Sequence, residues 1–339
     1  MERFAYHKVV LSCFLLTLTL LCYGQREKIN GISFVGSPNP ISESQLQPVL
    51  DLNANWVTFM PFAYGKSGSS HLTYKDVRWQ WWGEGQEGVS ECTKAAKAKG
   101  LKVMIKPHLW FDHGSYTGHF ELNSDKEWKV FEASYSDYVL GHAKLAEEND
   151  ADMFCIGVEL TRFCEQRPEF WRNLIDEVRK VYNGKLTYAG NWDSYNRMPF
   201  WDKLDYIGVD AYFPLCDENT PRSEDAFAGW EPHFQAVKRL SKKHQKEVIF
   251  TEWGFRSTDQ CCHRPWETGA GGDINLKAQK NAYMATFERF WNETWFAGGF
   301  VWKWFPNHPN SGGTTDNRFT PQNKPAEEVL REWFSRSGP

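Results

Sequence analysis

Glu159 closes the run Asp152-Met-Phe-Cys-Ile-Gly-Val-Glu, and Glu252 closes Glu247-Val-Ile-Phe-Thr-Glu. Each sets a carboxylate at the C-terminal tip of a short apolar segment of the kind that forms a buried parallel strand. Two carboxylates brought together are the apparatus of glycoside hydrolysis. One attacks the anomeric carbon, while the other protonates the departing oxygen and then deprotonates water. A retaining mechanism needs the pair roughly 5–5.5 Å apart. The acid also needs a raised pKa, which partial desolvation beside the second carboxylate supplies. A phenol on the nucleophile, with Tyr212 the candidate, would orient it and help keep it ionised. The plainer reading of either glutamate alone is an ion-paired carboxylate at a strand end.

Such tips converge when parallel strands close into a barrel. Short apolar runs alternate with amphipathic stretches along the chain, the pattern of a parallel sheet wrapped by helices. Eight strands are expected, at 31–35, 56–62, 102–109, 153–160, 186–190, 206–212, 248–253 and 299–304. Ser42-x-x-Gln45 is a capping box that opens the first helix. Further helices are expected at 87–99, stopped by Gly100, and at 126–149, 168–182, 232–244, 276–291 and 325–334. This predicts an α/β chain forming a single (β/α)8 TIM barrel over residues 25–339. A doubly wound open sheet is the competitor, but no Gly-x-Gly-x-x-Gly follows an early strand.

With the strands placed, polar and aromatic residues gather at their C-terminal ends. Strand three leads into His108-Leu-Trp110, strand five into Asn191-Trp192-Asp193, strand six into Asp210-Ala-Tyr212 and strand eight into Trp302-Lys-Trp304. His108, Trp110, Asn191, Trp192, Tyr212 and Trp302 are therefore the candidate substrate-binding residues. For His108 the alternative is a buried histidine satisfied by the backbone. Asp210 is expected to brace the catalytic pair. Trp79, Trp81 and Trp82 fit stacking platforms for distal sugars and a packing cluster equally well. His108, His113 and His119 lack helical ligand spacing, and Cys261-Cys262-His263 lacks a second ligand pair, so no metal and no cofactor are expected.

Composition narrows the function further. A formal charge of −4 without clustered Lys and Arg argues against a nucleic-acid partner, and aromatic residues make up 16% of the chain. Residues 1–24 read as a secretory signal: Arg3 and Lys8 supply positive charge, an apolar stretch follows, and Cys22-Tyr-Gly24 offers a cleavage site. Lipidation at Cys22 is the alternative to soluble export. The expected product is exported to the periplasm, cell surface or medium, as a monomer with no membrane span. Six cysteines remain after cleavage. Cys216 and Cys261 or Cys262 each follow a strand, so a disulfide joining their loops is expected to be feasible.

Gly157-Val-Glu159-Leu, Thr251-Glu-Trp-Gly254 and Trp302-Lys-Trp304 resemble the strand-four, strand-seven and strand-eight motifs of glycoside hydrolase clan A. The chain is most similar in pattern to glycoside hydrolase family 113, whose characterised members are endo-β-1,4-mannanases on (β/α)8 barrels. Lys28-Ile-Asn-Gly-Ile-Ser-Phe, Lys106-Pro-His108 and the stretch Trp128…Tyr138…Ala143-Lys-Leu-Ala146 extend the resemblance over nearly all of residues 25–339. It implies that Glu159 is the acid/base, Glu252 the nucleophile, Tyr212 the nucleophile's partner and Trp302 the platform under the sugar at the cleavage point. The pattern breaks at Val158, where the clan has Asn and this family more often Thr. Trp110 stands in place of an Asp, and Tyr116-Thr-Gly118 in place of a Trp-Arg-Gly-like segment. The resulting expectation is a retaining β-glycosidase acting on a β-linked hexose polysaccharide, with β-1,4-mannan first. The alternatives are β-glucan or another hemicellulose, or a non-catalytic glycan-binding barrel.

Overall fold

The computed structural model describes residues 27–75, 77–112, 115–267 and 272–336. The expected signal segment and His113 lie outside these. Eight strands run β1 Ile29–Phe34, β2 Trp56–Phe59, β3 Lys102–Ile105, β4 Met153–Val158, β5 Lys185–Asn191, β6 Ile207–Asp210, β7 Val248–Trp253 and β8 Phe296–Trp304. They pair in parallel, in chain order, and β8 returns to β1 to close the barrel. The helices are α1 Gln47–Leu50, α2 Gln86–Ala98, α3 Asp125–Glu148, α4 Thr161–Gln166, α5 Pro168–Val181, α6 Ser223–His244, α7 Leu276–Phe290 and α8 Pro325–Arg336. This is the expected (β/α)8 architecture.

Local chemistry fixes the ends of these elements. Ser124 Oγ accepts from Glu127 N and opens α3, while Asn275 Oδ1 accepts from Ala278 N at 2.9 Å and opens α7. Gly100, at φ +80°, turns the chain out of α2 directly into β3. The Ser42–Gln45 capping box forms, but it opens a 3-10 turn before the four-residue α1. Two helices depart from expectation. α4 was not anticipated, and α6 begins at Ser223, where Arg222 N donates to Asp225 Oδ2 at 3.1 Å, so Pro232 lies inside it.

Two apolar layers hold the barrel. Outside, strand residues pack on the helices, as where Trp253 meets Tyr283, Phe287 and Trp291. Inside, Ile29, Trp56, Met104, Met153, Cys155, Ile249 and Phe300 fill the axis. Phe300 occupies the centre so closely that a Cβ on Gly31 would lie 2.4 Å from its ring. The floor below the barrel mouth is therefore solid, and polar chemistry is confined to the strand tips.

Strands two and three were expected to run unbroken through Pro61 and Pro107. Each instead stops and resumes, β2 as Phe62–Tyr64 and β3 as His108–Trp110, and the two pieces pair in parallel as a separate small sheet. Proline has no N–H for the ladder, so both strands break at the same level. The extension projects past the rim beside the mouth.

Candidate active site

Strict alternation along β7 would turn Glu252 outward with Val248 and Phe250. A bulge prevents this. Val209 pairs with Phe250 but Asp210 pairs with Glu252, so β7 gains one residue on β6. Thr251 and Glu252 consequently both face the axis: Thr251 Oγ1 donates to Asp210 Oδ1 at 2.7 Å, and Glu252 Oε1 lies 2.5 Å from Lys106 Nζ. Tyr212 Oη donates to Glu252 Oε2 at 2.8 Å. Both oxygens of a carboxylate that is only 6% exposed are thus held by donors.

β4 carries a matching irregularity. Cys155 pairs with Thr187 and Val158 with Ala189, which leaves one extra residue on β4 just before Glu159. Gly157 sits there because a Cβ would lie 2.6 Å from Tyr135 Oη and 2.7 Å from the Trp171 ring. Glu159 follows in the left-handed region at φ 54°, with its N–H bonded to Ala189 O at 2.8 Å. A non-glycine residue held there costs on the order of 1–3 kcal/mol, which the surrounding bonds must offset.

The charges around this pair are unevenly shared. Glu159 and Asp210 are both pushed well above the usual carboxylate range, first by burial. For Glu159 the next causes are Asp210 and Glu252; for Asp210 the next is Glu252. Burial pushes the Lys106 ammonium down, but Glu252 and Asp210 beside it more than reverse this, so it stays charged. Tyr212 is raised by burial and then by Glu252 and Asp210, which keeps its phenol protonated as a donor. His108 is held well below its ordinary value by burial, then by Lys106 and Lys303, and is neutral. Its Nε2 is 3.8 Å from Glu252 Oε1 and makes no hydrogen bond. Glu159 is therefore disposed to hold a proton, while both oxygens of Glu252 are held by donors.

A cleft of about 940 Å³ opens over these groups. Glu159, Glu252, Asn191, Trp192, Tyr212 and Trp302 all line it, as expected of them. His108 sits behind it, its ring 6.2 Å from that of Trp302 and inclined by 19°. Trp110 does not line it: the break at Pro107 carries this residue onto the outer extension, where it is 49% exposed. The sequence reading missed Lys106 as a site residue. The signal was present, since a lysine between Ile105 and Pro107 at a strand tip must find a partner once buried. It left Tyr116, which faces Glu159, out of the candidate site residues, and it missed Trp266, stacked on Trp192 at 4.7 Å.

The loops bearing Cys216 and Cys262 do meet: Leu215 N donates to Cys262 O at 2.8 Å, and the Cys262 thiol contacts those of Cys216 and Cys261. No bridge joins them: the six cysteines among the described residues are free thiols. Among the described residues, no three His, Cys, Asp or Glu side chains are grouped to hold a metal ion.

Comparison with curated proteins gives no match. Solved structures are more informative. The GH113 β-mannanase AaManA from Alicyclobacillus acidocaldarius, in complex with ManMIm, superposes with a TM-score of 0.79 at 25% identity, over 92% of this chain and 98% of its own. A complex of a GH113 β-1,4-mannanase does so equally well, over 91% and 99%. A β-glucuronidase from Ruminococcus gnavus shares the fold, with a TM-score of 0.61 at 13% identity over 91% of this chain and 50% of its own. The model of Glycoside Hydrolase Family 113 matches residues 38–324, a span that holds both glutamates, Lys106, Tyr212 and Trp302, and the chain therefore belongs to that family of glycoside hydrolases.

Proposed function

We propose that this enzyme is a retaining endo-β-1,4-mannanase in which Glu252 is the nucleophile and Glu159 the acid/base. The observation that carries the reading is the opposed surroundings of two carboxyl groups on one cleft. Both oxygens of Glu252 are held by donors, Lys106 and Tyr212, while burial and Asp210 favour the proton on Glu159. The solved family 113 structures named as β-mannanases support mannan as the substrate.

In the first step the Glu252 carboxylate bonds to the anomeric carbon as the glycosidic C–O bond breaks, and the Glu159 proton passes to the departing oxygen. In the second, the Glu159 carboxylate takes a proton from water. The water oxygen bonds to the anomeric carbon and the ester to Glu252 breaks, so configuration is retained. Trp302 offers the ring face under the sugar, and neutral His108 packs behind that ring. Asn191 and Trp192, on the cleft wall, are the further sugar-binding residues. Export rests on the N-terminal segment alone.

The test is reducing-sugar release from mannan, glucomannan, cellulose, xylan and mixed-linkage glucan, with product sizing and NMR of the first anomer formed. Mannan and glucomannan should be cut internally, with the β-anomer appearing first. Release from glucan but not mannan would move the assignment to the sister substrate, and no release from any polymer would overturn it.

A further inference from the structure

Beyond the cleft, the small sheet formed by Phe62–Tyr64 and His108–Trp110 carries a row of rings that the reaction does not use. Its register pairs Phe62 with His108 and Tyr64 with Trp110. In paired parallel strands these partners lie on one face and the intervening residues on the other. Ala63 and Leu109 fill the buried face, so Phe62, Tyr64, His108 and Trp110 share the outward one.

Ring contacts join the catalytic platform to the foot of the row: His108 lies 6.2 Å from Trp302, and Phe62 lies 5.1 Å from His108. Farther out, Trp79 packs on Tyr64 at 4.2 Å. Each two-residue step along the sheet moves the row outward by about 6.6 Å. Trp79 is 65% exposed and Trp110 49% exposed, whereas Trp82 packs against the core. An indole left this open at the end of a ring-lined path contributes little to folding and offers a flat apolar face to a ligand. Polar groups accompany the path: Tyr64 Oη donates to Glu84 Oε2 at 3.0 Å, and the Lys303 ammonium lies 5.2 Å from the Trp302 ring centre.

The direction of the path follows from the chemistry. Glu159 protonates the leaving oxygen, so the leaving sugar lies on its side, by Trp192 and Trp266. The small sheet flanks Glu252 from the side of Lys106 and His108, where the sugar that remains on the nucleophile continues.

We infer that Tyr64, Trp79 and Trp110 form an extended binding track for the retained, non-reducing part of a β-1,4-linked hexose chain. This rests on the glycosidase reading and adds to it a preference for long chains on that side.

The test is calorimetric binding of β-1,4-mannohexaose and mannotriose to the full chain carrying Glu159→Gln, with and without Trp79→Ala, Trp110→Ala and both. The parent should bind the hexaose more tightly than the triose, and the double variant should lose about tenfold of that ratio. Equal binding of the two lengths by the parent, or an unchanged ratio in the double variant, overturns the track. Repeating the series with cello-oligosaccharides separates the two claims. A ratio that appears only there, and falls in the double variant, upholds the track while removing mannan as the substrate. Both tryptophans are exposed, and matching melting curves confirm that the variants fold.

Discussion

Lys106 Nζ lies 2.5 Å from Glu252 Oε1, and the lysine is fully enclosed while the glutamate is nearly so. Two opposite charges taken out of water together depend on each other. Removing one leaves the other buried and uncompensated, at a cost of about 3–5 kcal/mol. Lys106→Met is therefore expected to lower the melting temperature clearly and to cut kcat/KM by at least about a hundredfold, since the nucleophile loses its fixed counter-charge. Thermal melts and mannan hydrolysis measured on the same sample check this; wild-type activity in Lys106→Met would show that the pair is not part of the machinery.

Tyr212 holds the other oxygen of Glu252 at 2.8 Å. A hydrogen bond to a charged group contributes about 1.5–3 kcal/mol, so Tyr212→Phe should lower kcat by roughly ten- to a hundredfold. The phenyl ring keeps its place against Phe319, with centroids 5.9 Å apart in the parent, so KM should change little. Steady-state kinetics on a mannan oligomer separate the two parameters. A change confined to KM would assign the hydroxyl to ground-state binding.

In the proposed mechanism Glu159→Ala removes the proton that the leaving oxygen requires, and general acid catalysis of this kind contributes about 10²–10⁴-fold. Activity on mannan should fall by that order. An aryl glycoside with an acidic phenol leaves without protonation, so its first step should be nearly spared and its glycosyl-enzyme should accumulate. A burst of phenol in stopped-flow is the expected signature. Glu252→Ala should show no burst on either substrate, and a burst there would reverse the two roles.

Burial, then Asp210 and Glu252, raise the pKa of Glu159 in the folded state. The first chemical step needs the protonated form, so this pKa sets the alkaline limb of the kcat/KM profile. Asp210→Asn removes a negative neighbour, and the limb should move to lower pH. The same shift governs stability. A carboxyl whose folded pKa exceeds its unfolded value contributes most below the unfolded pKa, and that contribution disappears as pH rises through the folded one. The parent should therefore melt at progressively lower temperature as pH rises from the usual carboxylate range up to this limb, and Glu159→Gln should flatten the decline. An alkaline limb that stays in place in Asp210→Asn would exclude Asp210 as its cause.

Much of this was legible in the sequence because parallel strands are buried on both faces and end at the mouth. Val248–Trp253 falls where the apolar run placed it, and both glutamates lie at their strand tips. What stayed hidden depends on pairing rather than on composition. The bulges that aim Glu252 and precede Glu159 exist only as register differences between neighbouring strands. The break at Pro61 and Pro107 was visible as two prolines, yet the apolar residues around them outweighed that signal, and Trp110 was placed in the cleft as a result. Lys106 read as part of a motif because its partner lies far along the chain.

Gly157 links the helix layer to Glu159. A Cβ there would meet Tyr135 Oη at 2.6 Å and the Trp171 ring at 2.7 Å, and both side chains are enclosed, with Tyr135 Oη donating to Ile156 O at 2.9 Å. Neither neighbour is the loose end of a flexible chain, so the backbone of β4 must give way instead. Overpacking of this kind costs about 1–3 kcal/mol. Because Glu159 follows two residues later in a left-handed conformation fixed by Ala189 O, the displacement is delivered to the carboxyl group. Gly157→Ala should thus lose more activity than its drop in melting temperature explains, with the alkaline limb of the pH profile displaced. A variant that is merely less stable, with normal kcat and an unmoved limb well below its melting point, would show that the bulge does not set the position of Glu159.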